Sequence, residues 1–224
     1  AGITVSTLKE AEQFFAAGFT DVLYAVCIAP DKLDRALALI AKGCALTLLV
    51  DSVAAAEAVV GNGKAANQTF NVMIEIDSDG HRSGVQPEAP ELIEIGRVLQ
   101  AGGATVKGVL THAGSSYDLD TPEALQALAE QERALCVRAA ERLRAAGIAC
   151  PEVSIGSTPT AIAAQNLEGV TEVRAGVYVF FDLVMSNVGV CKPENVALSV
   201  LTTVIGHQPE KGWVIVDAGW MAMS

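Results

Sequence analysis

The chain has 224 residues, of which 51% are hydrophobic and 18% are charged, so it can bury a large core and is not expected to be disordered. Its formal net charge of −11 argues against nucleic acid and membrane surfaces as partners, because anionic phosphates would be repelled. No run of residues approaches the roughly 20 apolar positions of a bilayer span. The five cysteines include no Cys-x-x-Cys pair, and Ala1–Val5 carries no basic leader. These features predict a cytoplasmic protein with reduced thiols.

Short apolar runs rich in Val and Ile alternate with amphipathic segments along most of the chain. The runs lack a polar alternation, which is typical of strands buried on both faces of a parallel sheet. Helices are predicted at Leu8–Ala17, Leu33–Ala41 and Pro122–Ala146, with Asp31 and the Asp120–Glu123 segment as N-terminal capping signals. The predicted strands are Ile3–Val5, Asp21–Val26, Leu46–Val50, Asn71–Ile76, Thr105–Leu110, Glu152–Ile155 and Glu172–Arg174.

Regular alternation of strands and helices predicts an α/β fold with a parallel sheet. Seven strands are one short of a closed (β/α)8 TIM-type barrel, and we expect the missing first strand to precede Ala1. We assign residues 1–185 to this barrel and residues 186–224 to the beginning of a C-terminal β-rich domain. In the second part, strands are predicted at Val196–Ile205 and Trp213–Val216, joined by a turn.

The loop after the fourth predicted strand carries Arg82 between two glycines. Residues that follow barrel strands lie at the face where such folds do chemistry. A guanidinium held there can donate to a phenolate or a carboxylate, although a surface arginine on a turn gives the same pattern. The Asp77-x-Asp79-Gly80 start of this loop resembles a calcium loop, but the remaining ligand spacing is absent. No metal ligand is therefore assigned within the chain.

His112 and Tyr117 lie in the loop after the fifth predicted strand. Histidine at this position can carry a proton near neutral pH, so His112 is the candidate catalytic residue. A histidine hydrogen-bonded within the barrel wall is an equally common arrangement. Tyr117 either reaches toward a ligand or packs beneath the long helix.

The segment Gly156-Ser157-Thr158-Pro159 follows the sixth predicted strand and is the strongest local signal. Glycine lets the backbone approach a ligand, the hydroxyls donate, and a helix that begins at Pro159 presents free N–H groups to an anion. With a first strand restored, this strand would be the seventh, after which barrels often bind phosphate. Tyr178 follows the next strand and is a further candidate, although an ordinary N-cap and a core aromatic explain these residues equally.

Taken in order, these motifs resemble the alanine racemase-like family of fold-type III pyridoxal-phosphate enzymes, in its D-serine dehydratase and D-threonine aldolase branch. The segments that carry the resemblance cover nearly the whole chain. They are Ile74–Val85, Thr111–Tyr117, Ser154–Thr160, Glu172–Tyr178 and Val216–Ser224.

The resemblance implies a lyase that acts on D-β-hydroxy amino acids with pyridoxal phosphate as its cofactor. Arg82 would hydrogen-bond the phenolic oxygen of the cofactor, and Tyr117 would lie near its ring with His112 beside it. Gly156, Ser157 and Thr158 would hold the phosphate, with Tyr178 helping. The His112–Tyr117 segment favours the dehydratase, and members of this fold group commonly form homodimers.

Two parts of the family's active site have no counterpart in this sequence. The Schiff-base lysine lies at the end of the first barrel strand, and none of the seven lysines here has that context. The metal ligands of the family form a His-x-Cys or His-x-Asp pair in the β domain, which His207 does not match. We therefore expect this chain alone to be inactive, and we expect the full-length protein to use a divalent metal, Zn or Mn.

Three other functions fit parts of the pattern. A non-catalytic pyridoxal-phosphate carrier could use the same barrel, but such carriers have a single domain. An amino-acid racemase would need a catalytic tyrosine in the β domain. A barrel that binds another phosphorylated metabolite would need only the Gly156–Thr158 loop.

Overall fold

The computed structural model describes residues 2–219. Its first half contains β1 (Ile3–Val5), α1 (Leu8–Ala16), β2 (Asp21–Cys27), α2 (Leu33–Ala41), β3 (Ala45–Val50), α3 (Val53–Ala66), β4 (Asn71–Glu75) and α4 (Pro90–Gly102). There follow β5 (Thr105–Leu110), α5 (Pro122–Ala145), β6 (Glu152–Ile155), α6 (Thr158–Ala163), β7 (Glu172–Val173), α7 (Leu183–Asn187), β8 (Val204–Gln208) and β9 (Trp213–Val216).

Strands β1 to β7 form one parallel sheet in the order of the sequence, with β1 and β7 at its two edges. The predicted α/β barrel architecture is thus confirmed as seven parallel strands covered by helices. The antiparallel hairpin of β8 and β9 is a separate two-stranded sheet. None of the described helices combines the length and the apolar character that crossing a bilayer requires.

Alternate residues of each strand face either the helices or the interior of the curled sheet. The larger core lies between the strands and the helices, where Val22, Leu48 and Ile74 are fully buried. The smaller core lies on the opposite face of the strands and consists of Leu23, Leu49, Met73 and Leu110. Two residues further along these strands, that face becomes polar, with Glu75 and His112. The period of two therefore brings polar side chains to the carboxyl ends of the strands.

The helices begin and end where local signals predicted, with one exception. Thr121 caps α5 by accepting a hydrogen bond from Ala124 N, as its segment predicted. Gly18, Gly43 and Gly147 follow helices with positive φ. Asp31, in contrast, does not cap α2. It lies inside a 3₁₀ turn (Pro30–Lys32) that precedes the helix, and no side chain caps the first turn of α2.

The second part of the chain differs from the prediction in one strand. Strand β8 runs from Val204 to Gln208, whereas the predicted strand Val196–Ile205 begins eight residues earlier. The partner strand β9 pairs only across Val204 to Gln208, so the apolar residues before Val204 have no strand to pair with in the described part of the chain. Trp213–Val216 is confirmed, while residues 220–224 lie outside the described residues. The division at residue 185 stays a prediction, and α7 spans it.

Candidate active site

A cavity of about 630 Å³ lies at the carboxyl ends of the parallel strands. It extends along both edges of the sheet, where Ile3–Val5 of β1 and Val173 of β7 line it. Six of the seven residues predicted to form the site line this single cavity. They are Arg82, His112, Tyr117, Gly156, Ser157 and Thr158.

Tyr178 is the predicted site residue that does not line the cavity. Its side chain is 54% exposed, and its contact with the site is through the backbone. Tyr178 N donates a hydrogen bond to Thr158 Oγ1 at 3.3 Å. The structure thus places the Tyr178 backbone, rather than its phenol, against the Gly156–Thr158 loop.

The loop that carries Arg82 is fastened to two neighbouring elements. Asp79 Oδ2 accepts hydrogen bonds from Ser115 N at 2.9 Å and Ser115 Oγ at 2.8 Å. Burial alone would raise the pKa of Asp79, but these hydrogen bonds outweigh it and the pKa lies below its ordinary value. Ser83 Oγ donates to Glu75 Oε2 at 2.9 Å. Arg82 itself is exposed and lines the cavity.

Gly114 makes room for the Arg82 side chain. A Cβ atom at this position would lie 3.1 Å from Arg82 Cδ and would overlap the His81 ring. Any larger residue would therefore push one of these side chains away. Glycine at position 114 lets the loops after β4 and β5 approach each other at the mouth of the cavity.

His112 is held in one orientation by the next loop. Its Nδ1 lies 3.1 Å from Gly156 O, so Nδ1 carries the proton and Nε2 is left as an acceptor. Burial lowers the pKa of His112, the hydrogen bond to Gly156 opposes that shift, and the nearby charges of Arg174 and Arg82 add to it. The Tyr117 ring lies 6.0 Å from the His112 ring, and burial raises the pKa of its hydroxyl. Both side chains are therefore neutral at pH 7.

The lowered pKa of His112 predicts a pH dependence of stability. Below about pH 6.5 the unfolded chain binds more protons at this residue than the folded one. The contribution of His112 is therefore fully present above pH 6.5 and is lost as the pH falls through the folded pKa. NMR titration of the imidazole should give a midpoint below 6.5, and His112→Gln should flatten the slope of unfolding free energy in this range. His207→Gln, at an exposed residue of β8, is the control, and a His112 midpoint above 6.5 would contradict the assignment.

The Gly156–Thr158 loop forms a cradle of backbone and hydroxyl groups. Gly156 has a φ of +124°, and Ser157 caps α6 by accepting a hydrogen bond from Thr160 N at 3.2 Å. Ser157 Oγ also lies 3.0 Å from Ser116 Oγ. Within the described residues, the hydrogen bonds found leave the amides of Thr158, Gly176 and Val177 without an acceptor. All three residues line the cavity, so their N–H groups are available to an anion.

Arg174 was not assigned a role from the sequence, yet it lines the cavity with its guanidinium largely buried. Arg174 Nε donates to Ser154 Oγ at 2.8 Å, and the guanidinium also donates to Thr111 O. Burial lowers its pKa, which Glu132 and Glu172 oppose, and an arginine stays charged in this setting. Its position directly after a barrel strand is the signal that could have marked it.

Glu132 is the second residue that the sequence prediction missed. It lies on α5 with only 1% of its surface exposed. The buried residues Leu125, Leu128 and Cys136 occur on the same helix at spacings of three and four, and Glu132 falls within that buried stripe. A carboxylate on an apolar stripe needs buried partners, and that spacing is the signal that could have found it.

One group of potential metal ligands occurs among the described residues, at the ends of β2, β3 and β4. Ligand atoms of Cys27, Asp51 and Glu75 all lie within 4.8 Å of one another. Cys27 Sγ, however, donates a hydrogen bond to Glu75 Oε2 at 3.0 Å. Burial raises the pKa of this thiol, and the neighbouring Glu75 raises it further. The thiol and the Glu75 carboxylate are thus paired with each other, and these residues are not assigned a metal.

Comparison with known proteins gives a consistent set of relatives. Residues 1–184 match the family described as "Alanine racemase, N-terminal domain". D-threo-3-hydroxyaspartate dehydratase of Delftia sp. (strain HT23) is 70% identical over 100% of this chain and 59% of its own length. The solved structure of this dehydratase matches with a TM-score of 0.94 over 100% of this chain and 59% of its own. A second solved structure is described as a mutant of D-threo-3-hydroxyaspartate dehydratase in the metal-free form.

Two further relatives are named for different activities. D-serine dehydratase of Dictyostelium discoideum is 32% identical over 100% of this chain and 59% of its own length. D-threonine aldolase of Arthrobacter sp is 29% identical over 97% of this chain and 58% of its own length. The chain therefore spans about 59% of the length of the two dehydratases.

Proposed function

The chain belongs to the alanine racemase N-terminal domain family, as its motifs predicted, and on this premise we propose that the protein carrying it is a pyridoxal-phosphate-dependent lyase. Its substrates are D-β-hydroxy amino acids, with D-threo-3-hydroxyaspartate first among them. The observation that carries the proposal is the single cavity that gathers Arg82, His112, Tyr117 and the Gly156–Thr158 loop.

The described residues fit the phosphate of the cofactor. The amides of Thr158, Gly176 and Val177 supply three donors without acceptors of their own. The Ser157 hydroxyl adjoins the same loop and can reorient to donate. An oxyanion that carries nearly two negative charges favours N–H groups that have no other acceptor. A contact from the Tyr178 phenol stays a prediction, because Tyr178 is exposed and is not among the residues that line the cavity.

The ring of the cofactor would lie among charged and neutral donors of fixed orientation. Arg82 can donate to its phenolic oxygen, and the neutral His112 ring, with its proton on Nδ1, presents Nε2 to the cavity. Tyr117 keeps its hydroxyl proton and can donate it in a hydrogen bond. When bound, pyridoxal phosphate supplies an electron sink for negative charge that develops at the substrate's α-carbon.

The substrate class rests on the relatives. The relative with 70% identity is named for D-threo-3-hydroxyaspartate, a substrate with two carboxylates. Arg82 and Arg174 line the cavity together with the carboxylates of Glu75 and Glu172, so such an anion would be bound by individual guanidinium donors and not by an excess of positive charge. Aldol cleavage is the second candidate, because the D-threonine aldolase of Arthrobacter sp matches almost the whole chain.

The divalent metal expected in the full-length protein is not assigned to the Cys27, Asp51 and Glu75 group, in which the thiol donates a hydrogen bond to Glu75. We propose that the metal binds elsewhere in the protein, and its identity as Zn or Mn stays a prediction. The homodimer, the cytoplasmic location and the inactivity of this chain alone also stay predictions.

Product analysis of the full-length protein tests the proposal. The protein should be supplied with pyridoxal phosphate and a divalent metal, then offered D-threo-3-hydroxyaspartate, D-serine and D-threonine separately, with the L-enantiomers as controls. Dehydration of the first substrate should give oxaloacetate and ammonia, with kcat/KM at least about tenfold above that for D-serine. Glycine and glyoxylate would instead select the aldolase, a change of enantiomer would select a racemase, and cofactor binding without turnover would select a carrier.

A further inference from the structure

Resting on the proposed function, we propose that Glu132 is a positioning residue that sets the distance between the phosphate cradle and the ring-binding residues. It is placed on the outer helix α5 and acts through backbone amides of two loops.

One carboxylate oxygen of Glu132 holds both loops. Glu132 Oε1 accepts a hydrogen bond from Ala113 N at 3.1 Å and another from Gly156 N at 3.1 Å. Ala113 lies directly after His112 in the loop that follows β5. Gly156 begins the cradle that follows β6. Since α5 is the helix that connects these two strands, its side chain reaches both loops from behind the cavity.

The two loops are also joined directly to each other by a hydrogen bond, so that the loops and Glu132 form one network. His112 Nδ1 donates to Gly156 O, while Gly156 N and Ala113 N both donate to Glu132. Moving the carboxylate would therefore shift His112 relative to Ser157 and Thr158. Hydrogen bonds made inside a buried site are strong, and a donor that loses its acceptor there is costly.

The acceptor function of Glu132 does not depend on its charge. Burial raises the pKa of Glu132, against the hydrogen bonds from Thr160, Ala113 and Gly156 and the charge of Arg174, which lower it. A carbonyl oxygen accepts in either protonation state, and an amide side chain offers the same oxygen. Glu132→Gln is therefore a close geometric substitute, whereas Glu132→Leu removes the acceptor and keeps a similar volume.

Cofactor affinity and amide exchange in the full-length protein test this role. Glu132→Leu should raise the dissociation constant for pyridoxal phosphate at least about tenfold, the size of effect typical when supporting partners of a bound group are lost. Glu132→Gln should restore the affinity to within about threefold of the unsubstituted protein. Glu141→Leu, at an exposed position of the same helix, is the matched control and should leave the affinity unchanged.

Amide hydrogen exchange tests the positioning role of Glu132 without the cofactor being present. Without cofactor, Glu132→Leu should speed exchange at the Ala113 and Gly156 amides more than elsewhere in the barrel, and Glu132→Gln should not. If Glu132→Leu fails to fold, Glu132→Asp, which withdraws the carboxylate by one methylene, takes its place with the same expectation. Unchanged exchange at both amides, or an unchanged dissociation constant, would overturn the proposal. Failure of the unsubstituted protein to bind the cofactor would overturn the proposed function instead, while the exchange result would still decide the role of Glu132.

Discussion

Gly156→Ala is expected to abolish measurable binding of pyridoxal phosphate and to destabilise the barrel. Gly156 has a φ of +124°, a conformation that costs an L-residue about 1–3 kcal/mol. An added Cβ atom would also overlap the backbone carbonyl of Arg174, which has no freedom to rotate away. The backbone must then shift at Gly156, whose N–H donates to Glu132 and whose carbonyl accepts from His112. Both the Gly156–Thr158 loop and His112 would therefore move.

Gly43→Ala is the matched control for this substitution. Gly43 has a φ of +96°, and an added Cβ atom would meet nothing within 4 Å. The control should lose about 1 kcal/mol of unfolding free energy and keep its cofactor affinity. Urea unfolding and equilibrium titration with pyridoxal phosphate measure both quantities. Equal cofactor affinity in the two variants would show that the Gly156 loop does not hold the cofactor.

Arg174→Met is expected to destabilise the folded protein by about 3–5 kcal/mol, because it breaks a buried network of charges. The guanidinium donates to Ser154 Oγ and to the backbone carbonyl oxygen of the buried Thr111, and it lies near the buried Glu132. Without it, Glu132 keeps its burial but loses a compensating positive charge. Methionine fills a similar volume, so the loss reports the charge and its hydrogen bonds rather than a cavity.

The control for Arg174 is Arg97→Met at an exposed position of α4. A surface substitution of this kind should change the unfolding free energy by less than about 0.5 kcal/mol. Arg174→Lys should fall between the two, since it keeps the charge but lacks the planar fork that reaches two acceptors. Urea denaturation of the three variants at pH 7 measures the differences. Equal stability of Arg174→Met and Arg97→Met would show that the buried network contributes nothing.

Strand bounds were predicted well because each barrel strand is a short apolar run between clear interruptions. The bounds of β1, β5 and β6 are those predicted, and β2 extends only one residue further, to Cys27. Position after a strand was also enough to predict that candidate residues from separate loops lie close together, since the carboxyl ends of parallel strands meet at one face. Arg82, His112 and Ser157 come from three loops and line one cavity for this reason.

The missed features depend on contacts between residues far apart in the sequence. Glu132 lies 19 residues from Ala113 and 24 from Gly156, and no local pattern states which amides its carboxylate reaches. The segment before Val204 has the apolar composition of a strand, but a strand also needs a partner, and β9 offers only Trp213–Val216. Asp31 is a residue type that often caps helices, but here it lies within a 3₁₀ turn that begins at Pro30 and precedes the helix.

A crystal structure of the full-length protein with pyridoxal phosphate tests the central claim most directly. We expect the phosphate oxygens to lie within about 3.2 Å of the amides of Thr158, Gly176 and Val177. The phenolic oxygen of the cofactor should lie toward Arg82, with the His112 ring beside the cofactor. A phosphate bound away from these amides, with the cavity at the strand ends left without cofactor, would contradict the account.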